Sequence, residues 1–203
     1  MNGAGAPDDS RQYRAFISYS HADSRFALWL HRKIERFAIP AGPGAGRVRL
    51  APVFLDRAEL PAATDLSATV RAALARSAAL IVIASPHARA SRWVDREIAL
   101  FRELHPDRPV LVALIEGEPD TAFPPALTGS GAATIEPLAA DFRKGADGRR
   151  LGLLKIVAGL SGQPLDRLVQ RDAQARQRRV MAVTAAALLL SLGSGPIDPR
   201  GMI

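Results

Sequence analysis

The 203-residue sequence predicts an α/β fold: a doubly wound parallel sheet of five strands with helices on both faces, and a C-terminal helical tail behind it. Three observations carry that expectation. Short apolar or aromatic runs alternate with stretches of helical periodicity between residues 13 and 160. Two of the runs, ALIVIA at 79–84 and PVLVALI at 109–115, are apolar without a break, as strands covered on both faces must be. After residue 160 the pattern changes to an arginine-rich helix that leads into an apolar stretch.

Residues 1–12, MNGAGAPDDSRQ, lack the basic and apolar regions of a secretory signal and read as a flexible leader to a cytoplasmic domain. The aromatic and β-branched run YRAFISY at 13–19 is the first strand, and the polar turn Ser20-His21-Ala22-Asp23 ends it. A helix follows over 24–37, with Ala27, Leu30, Ile34 and Phe37 on one face. AIPAGPGAGR reads as a loop, and residues 50–55 as the second strand. Its glycines at 42, 44 and 46 mimic a phosphate-binding loop, but they precede a strand instead of joining a strand to a helix, which argues against a dinucleotide fingerprint.

The next loop carries Asp56, Arg57, Glu59 and Pro61, and a helix from about Asp65 buries Leu66, Val70, Ala73 and Leu74. The third strand is 79–84, and a proline-containing loop leads to a helix whose N-cap is Ser91. The fourth strand is 109–115, a Pro/Gly-rich loop spans 116–131, and a weaker fifth strand lies at 133–136. A last domain helix covers 149–160 and stops at Gly162-Gln163-Pro164.

The domain therefore spans 13–160. Residues 161–179 form a basic helical linker, with five arginines against two aspartates in LDRLVQRDAQARQRR, and 180–203 an apolar segment and tail. About thirteen apolar residues from Val180 to Leu192 cover roughly 20 Å as a helix, short of the ~30 Å hydrocarbon core. Two readings stay open: a shortened membrane anchor with the domain on the cytoplasmic side, or a helix that packs on a partner.

A formal charge of +7 invites a nucleic-acid reading, but the basic residues are scattered and aromatics make up only 5%, so no nucleic-acid partner is expected. Cysteine is absent, which excludes disulfides and thiolate chemistry. The histidines at 21, 31, 87 and 105 match no ligand spacing, so no metal is expected.

The helix after Ser91 holds one residue out of pattern. On a wheel of about 100° per residue, Trp93, Val94, Ile98, Leu100, Phe101 and Leu104 fall in one arc of roughly 160°. Glu97 projects at about 40°, inside that arc and one turn above Trp93. A carboxylate facing a core costs several kcal/mol unless it is paired, neutralised or opens onto a cavity. Sites in such sheets form at the carboxyl ends of the strands. The three loops there carry Ser20, His21 and Asp23, then Asp56, Arg57 and Glu59, then Ser85, Pro86 and His87. Glu97 is expected just below that rim, partly exposed in a cleft. Ser85 and His87 make no nucleophile pair, because no third group orients them.

Three stretches resemble bacterial Toll/interleukin-1 receptor (TIR) domains: FISYSHADS at 16–24, VFLDRAELPAATDL at 53–66, and IVIASPHARASRWVDREI at 81–98, which ends in the Ser91, Trp93, Glu97 pattern. Ala62 and Ala63 stand where the family often has a glycine, and Ser20 and His21 where many enzymatic members are basic. The resemblance implies a flavodoxin-like sheet of strand order 2-1-3-4-5. It implies an NAD glycohydrolase whose matching glutamate, Glu97, is essential for breaking the nicotinamide–ribose bond, with NAD as substrate and no cofactor. Substrate contacts are expected at Ser20, His21, Asp56, Arg57, Glu59 and Trp93, although Trp93 also reads simply as core. Other TIR domains are the expected partners, through the loop from Asp56 to Asp65. The rival reading is a TIR module that signals by association without turnover.

Overall fold

The computed structural model describes residues 12–40, 46–55, 67–128 and 139–193. The expectations for the leader up to residue 11, for residues 56–66 with Asp56, Arg57 and Glu59, and for a strand at 133–136 lie outside them. In chain order the elements are β1 (Ala15–Ser18), a 3-10 turn (His21–Asp23), α1 (Ser24–Arg36), β2 (Ala38–Pro40), β3 (Arg47–Arg49), β4 (Val53–Leu55) and α2 (Ala68–Ala75). Then come β5 (Leu80–Ala84), α3 (Pro86–Ala90), α4 (Arg92–Leu104), β6 (Val110–Leu114), α5 (Pro119–Ala122), α6 (Pro125–Thr128), β7 (Ala139–Asp141), α7 (Gly148–Ser161) and α8 (Leu165–Gly193).

Five strands form one sheet in the order β4-β1-β5-β6-β7, every pair parallel. Numbering its strands by sequence gives the expected 2-1-3-4-5. The fifth member is Ala139–Asp141. Side chains alternate across the sheet. Phe16, Leu80, Val82, Ala84, Val112 and Leu114 point to one face, where they pack with Val70 and Leu74 of α2 and Val94, Ile98 and Phe101 of α4. Each such aliphatic or aromatic side chain contributes about 1.5–3 kcal/mol of burial. Ala27, Leu30 and Ile34 of α1 are fully buried, as their spacing predicts.

On the α7 side the approach is close. A Cβ on Gly152 would sit 2.8 Å from the ring of Phe142, so only glycine fits there without a shift. That ring also meets Phe26 edge-on, with centroids 5.0 Å apart. At the outer edge β4 is three residues long, and α1 reaches over it. Glu35 accepts a hydrogen bond from the Val53 N–H at 3.1 Å, and His31 Nε2 lies 3.0 Å from the Val53 carbonyl, in the tautomer protonated there.

Three expectations need correction. The AIPAGPGAGR stretch is not simply a loop, since β2 and β3 pair antiparallel as a hairpin. Its strands escaped the reading because both are short and Arg47, Val48 and Arg49 are all exposed, leaving no buried alternation. The segment before Ser91 is helical, because Ser85 caps α3 by accepting from Ala88 N–H at 3.0 Å and Pro86 suits a first helical turn. The loop 116–131 contains α5 and α6, which α4 holds: Asp95 accepts from Ala126 N–H at 2.6 Å and Arg102 donates to the Ala126 carbonyl. The basic linker and the apolar run share a single helix, α8, of 29 residues.

Contacts divide the chain into units of residues 1–163 and 164–203. Gly162, at φ +64°, closes α7 in the left-handed region. Among the described residues, no helix is long and apolar enough to cross a membrane.

Candidate functional site

The C-terminal rim of the sheet is built from the ends of β1, β5 and β6 and from the start of α4. Its helix begins where Ser91 accepts a hydrogen bond from Val94 N–H at 3.4 Å. From there Val94, Glu97, Ile98 and Phe101 form the buried stripe. These residues cover only about 40° to 140° on the wheel, a narrower arc than the apolar residues suggest. Trp93 and Leu100 are half-buried and Leu104 is exposed, so the helix is rolled with that edge outward. That roll leaves Glu97, at 40°, on the border of the buried stripe, next to the outward edge.

Glu97 is nevertheless more enclosed than expected. It is 8% exposed and accepts a hydrogen bond at 2.5 Å from the hydroxyl of Ser18, itself 1% exposed. The cleft carboxylate expected from the wheel is instead a buried, hydrogen-bonded one. Ser18 is the last residue of β1 and pairs in register with Val82. It points to the same face as Phe16, toward α4. A hydroxyl hung on a paired strand thus meets the one acidic residue of the opposing helix stripe. That donor relieves part of the cost of burying the carboxylate; hydrogen bonds to charged groups contribute roughly 1.5–3 kcal/mol.

A second buried carboxylate lies on the same rim. Asp23, 7% exposed, accepts from the hydroxyl of Ser85 at 2.6 Å. Burial raises its pKa above the ordinary 3.8, the Ser85 bond and the nearby His87 pull it down, and Glu116 pushes it up again. Ser85 is completely buried and also caps α3, so its hydroxyl belongs to the scaffold. The pair ties the 3-10 turn after β1 to the helix after β5.

The other sequence-named residues divide as follows. Ser20 is half-buried at the head of the 3-10 turn and His21 is exposed on it, both on the β1 loop that Asp23 anchors. Trp93 is flanked by the guanidinium groups of Arg92 and Arg96, each 5.6 Å from its ring, so it is neither sealed core nor bare platform. Asp56, Arg57 and Glu59 lie outside the described residues.

Sequence reasoning missed Ser18, and it noted Asp23 and Ser85 without pairing them. The available signal was parity: a serine two residues after Phe16 must face the same helices. A groove of about 440 Å3 opens elsewhere, between α2 and the sheet at Tyr13, Phe54, Thr69 and Arg76, and includes none of the named site residues. Among the described residues, no three His, Asp or Glu side chains cluster as a metal site requires.

Chemically, the rim offers a low-dielectric carboxylate that accepts from the Ser18 hydroxyl, beside a turn that carries a hydroxyl and an imidazole. Comparisons with known proteins bear on what that arrangement serves. A curated protein named NAD(+) hydrolase ApTIR, from Actinoplanes sp., is 31% identical over 212 aligned residues, covering 90% of this chain but only 29% of that protein. Among solved structures, TIR domains of the activated Roq1 resistosome directly recognising the pathogen effector XopQ are similar over 53% of this chain and 60% of theirs, at 22% identity and a TM-score of 0.38, too distant to carry an argument. The TIR domain family matches residues 15–154, from β1 into α7, and the chain belongs to that family.

Proposed function

We propose that this chain is an NAD glycohydrolase of the TIR family, cleaving the nicotinamide–ribose bond in bacterial immune or cell-death signalling and active on self-association. The observation that carries the reading is Glu97: a carboxylate set inside the apolar stripe of α4 and met there by Ser18 at the end of β1. The 31% identity to a protein named an NAD(+) hydrolase supports the same chemistry.

In the reaction, the bond from the ribose C1′ to the ring nitrogen breaks and its electron pair moves to the pyridinium, so nicotinamide leaves neutral. Water then adds to C1′ and releases a proton. Little acid catalysis is required. What is required is negative charge near the oxocarbenium-like transition state and an acceptor for ribose hydroxyls. Glu97 supplies both, and its low-dielectric surroundings strengthen its field. Ser20, His21 and Trp93, together with Asp56, Arg57 and Glu59, are the proposed NAD contacts. The loop from Asp56 to Asp65 is the proposed contact with other TIR domains. An 8% exposed carboxylate does not admit a ribose as it stands, so turnover on this reading needs the rim to open, and assembly is the step proposed to open it.

One observation favours a second reading, a TIR module that signals by association without turnover. A buried glutamate that already takes a serine hydroxyl is explained as scaffold alone. Incubating the protein with NAD, dilute and under crowding, separates the two. Free nicotinamide is expected, with Glu97→Gln lowering its release by a factor of about 10² or more. If wild type releases none in either condition and Glu97→Ala matches wild type in cells, the association module stands instead.

A further inference from the structure

We propose that Ser18 is a positioning residue for Glu97, setting the orientation in which the carboxylate meets the reacting ribose. The inference rests on the glycohydrolase reading and goes beyond it, because it assigns a working role to a strand residue that no substrate contact would reveal.

Three features of the site carry it. The bond is short and buried, running from Ser18 Oγ to Glu97 Oε2 at 2.5 Å, between side chains 1% and 8% exposed. Its donor is fixed. Ser18 closes β1 and is registered against Val82 of β5, in the middle of the sheet, so its Cβ has almost no freedom. Its acceptor, by contrast, sits at the end of a side chain with three rotatable bonds, whose terminal carboxylate torsion is intrinsically broad. A fixed hydroxyl on one oxygen narrows that torsion and so sets the plane of the carboxylate.

The chemistry makes that plane matter. A carboxylate that offsets charge on a ribose ring and accepts from its hydroxyls must present its oxygens at a defined angle, and misplacement by about 1 Å is enough to cost a factor of about 10². A strand hydroxyl therefore acts through Glu97 and not on NAD itself. Removing it should loosen the carboxylate without removing it, lowering kcat and leaving KM for NAD nearly unchanged.

The experiment compares wild type, Ser18→Ala and Ser18→Cys in steady-state NAD cleavage, each normalised to its folded fraction from thermal melts. The cysteine variant keeps the volume while offering only a weak donor. The expected result is a kcat at least tenfold lower for Ser18→Ala, a smaller loss for Ser18→Cys, and KM within twofold of wild type for both. The role is overturned if both variants keep wild-type kcat per folded molecule, whatever their melting temperatures, because the hydroxyl is then scaffold only. It is equally overturned if KM rises while kcat holds, since Ser18 would then serve substrate binding. Absence of turnover in wild type, a different outcome, removes the glycohydrolase reading and this role together.

Discussion

Asp23 shows how a single buried carboxylate writes itself into the pH dependence of the fold. Its pKa is raised, chiefly by burial. The folded state then holds the proton more tightly than the unfolded chain does, so the contribution to stability is complete below the ordinary value of 3.8 and is lost as pH rises through the elevated folded value. Asparagine does not titrate and can still accept from Ser85. The expected outcome is that Asp23→Asn gains stability relative to wild type as pH climbs from about 4 to 7. Urea unfolding of both proteins across that range checks it, and a pH-independent difference would show that the carboxyl titrates normally. Glu97 differs in kind. It stands inside a helix stripe, where its replacement tests chemistry as well as packing.

Among the elements, α7 is the one most dependent on a missing side chain. Alanine at position 152 would gain about 1 kcal/mol of helix propensity over glycine. Its Cβ would also press three atoms of the Phe142 ring at 2.8–2.9 Å. Overpacking of that sort costs about 1–3 kcal/mol. The ring is held by Phe26 and by Trp29, at 5.0 and 6.0 Å, so it has little room to retreat. Gly152→Ala is therefore expected to destabilise by about 1 kcal/mol net, read as a lower urea midpoint with an unchanged slope.

Elements also mark what the sequence could and could not convey. ALIVIA and VLVALI announced β5 and β6 because strands covered on both faces need nothing but apolar residues. The hairpin of β2 and β3 sent no such signal, since each strand is only three residues long, neither is buried, and glycines and prolines adjoin them. Glu97 was legible as the one acid in an apolar arc. Its depth was not, because the wheel gives direction along one helix and says nothing of the Ser18 hydroxyl that meets the carboxylate from β1.

At the scale of the molecule, the division after Gln163 has a direct test. The sheet, its covering helices and the rim all belong to residues 12–163. A protein ending at Gln163 is expected to unfold in one cooperative transition, within a few degrees of the melting temperature of the same unit in the full chain. Calorimetry of the two proteins decides it. A broad transition would mean that the tail completes the fold.

The capped outer strand has its own consequence. Parallel sheets grow by adding backbone to an unpaired edge, and β4 is such an edge. Its Val53 amide and carbonyl are already engaged by Glu35 and His31, side chains of the same chain. A neighbouring copy approaching from that side meets filled valences instead of a template. A strand adding to β4 at Val53 would first have to displace two side chains that already hold that backbone.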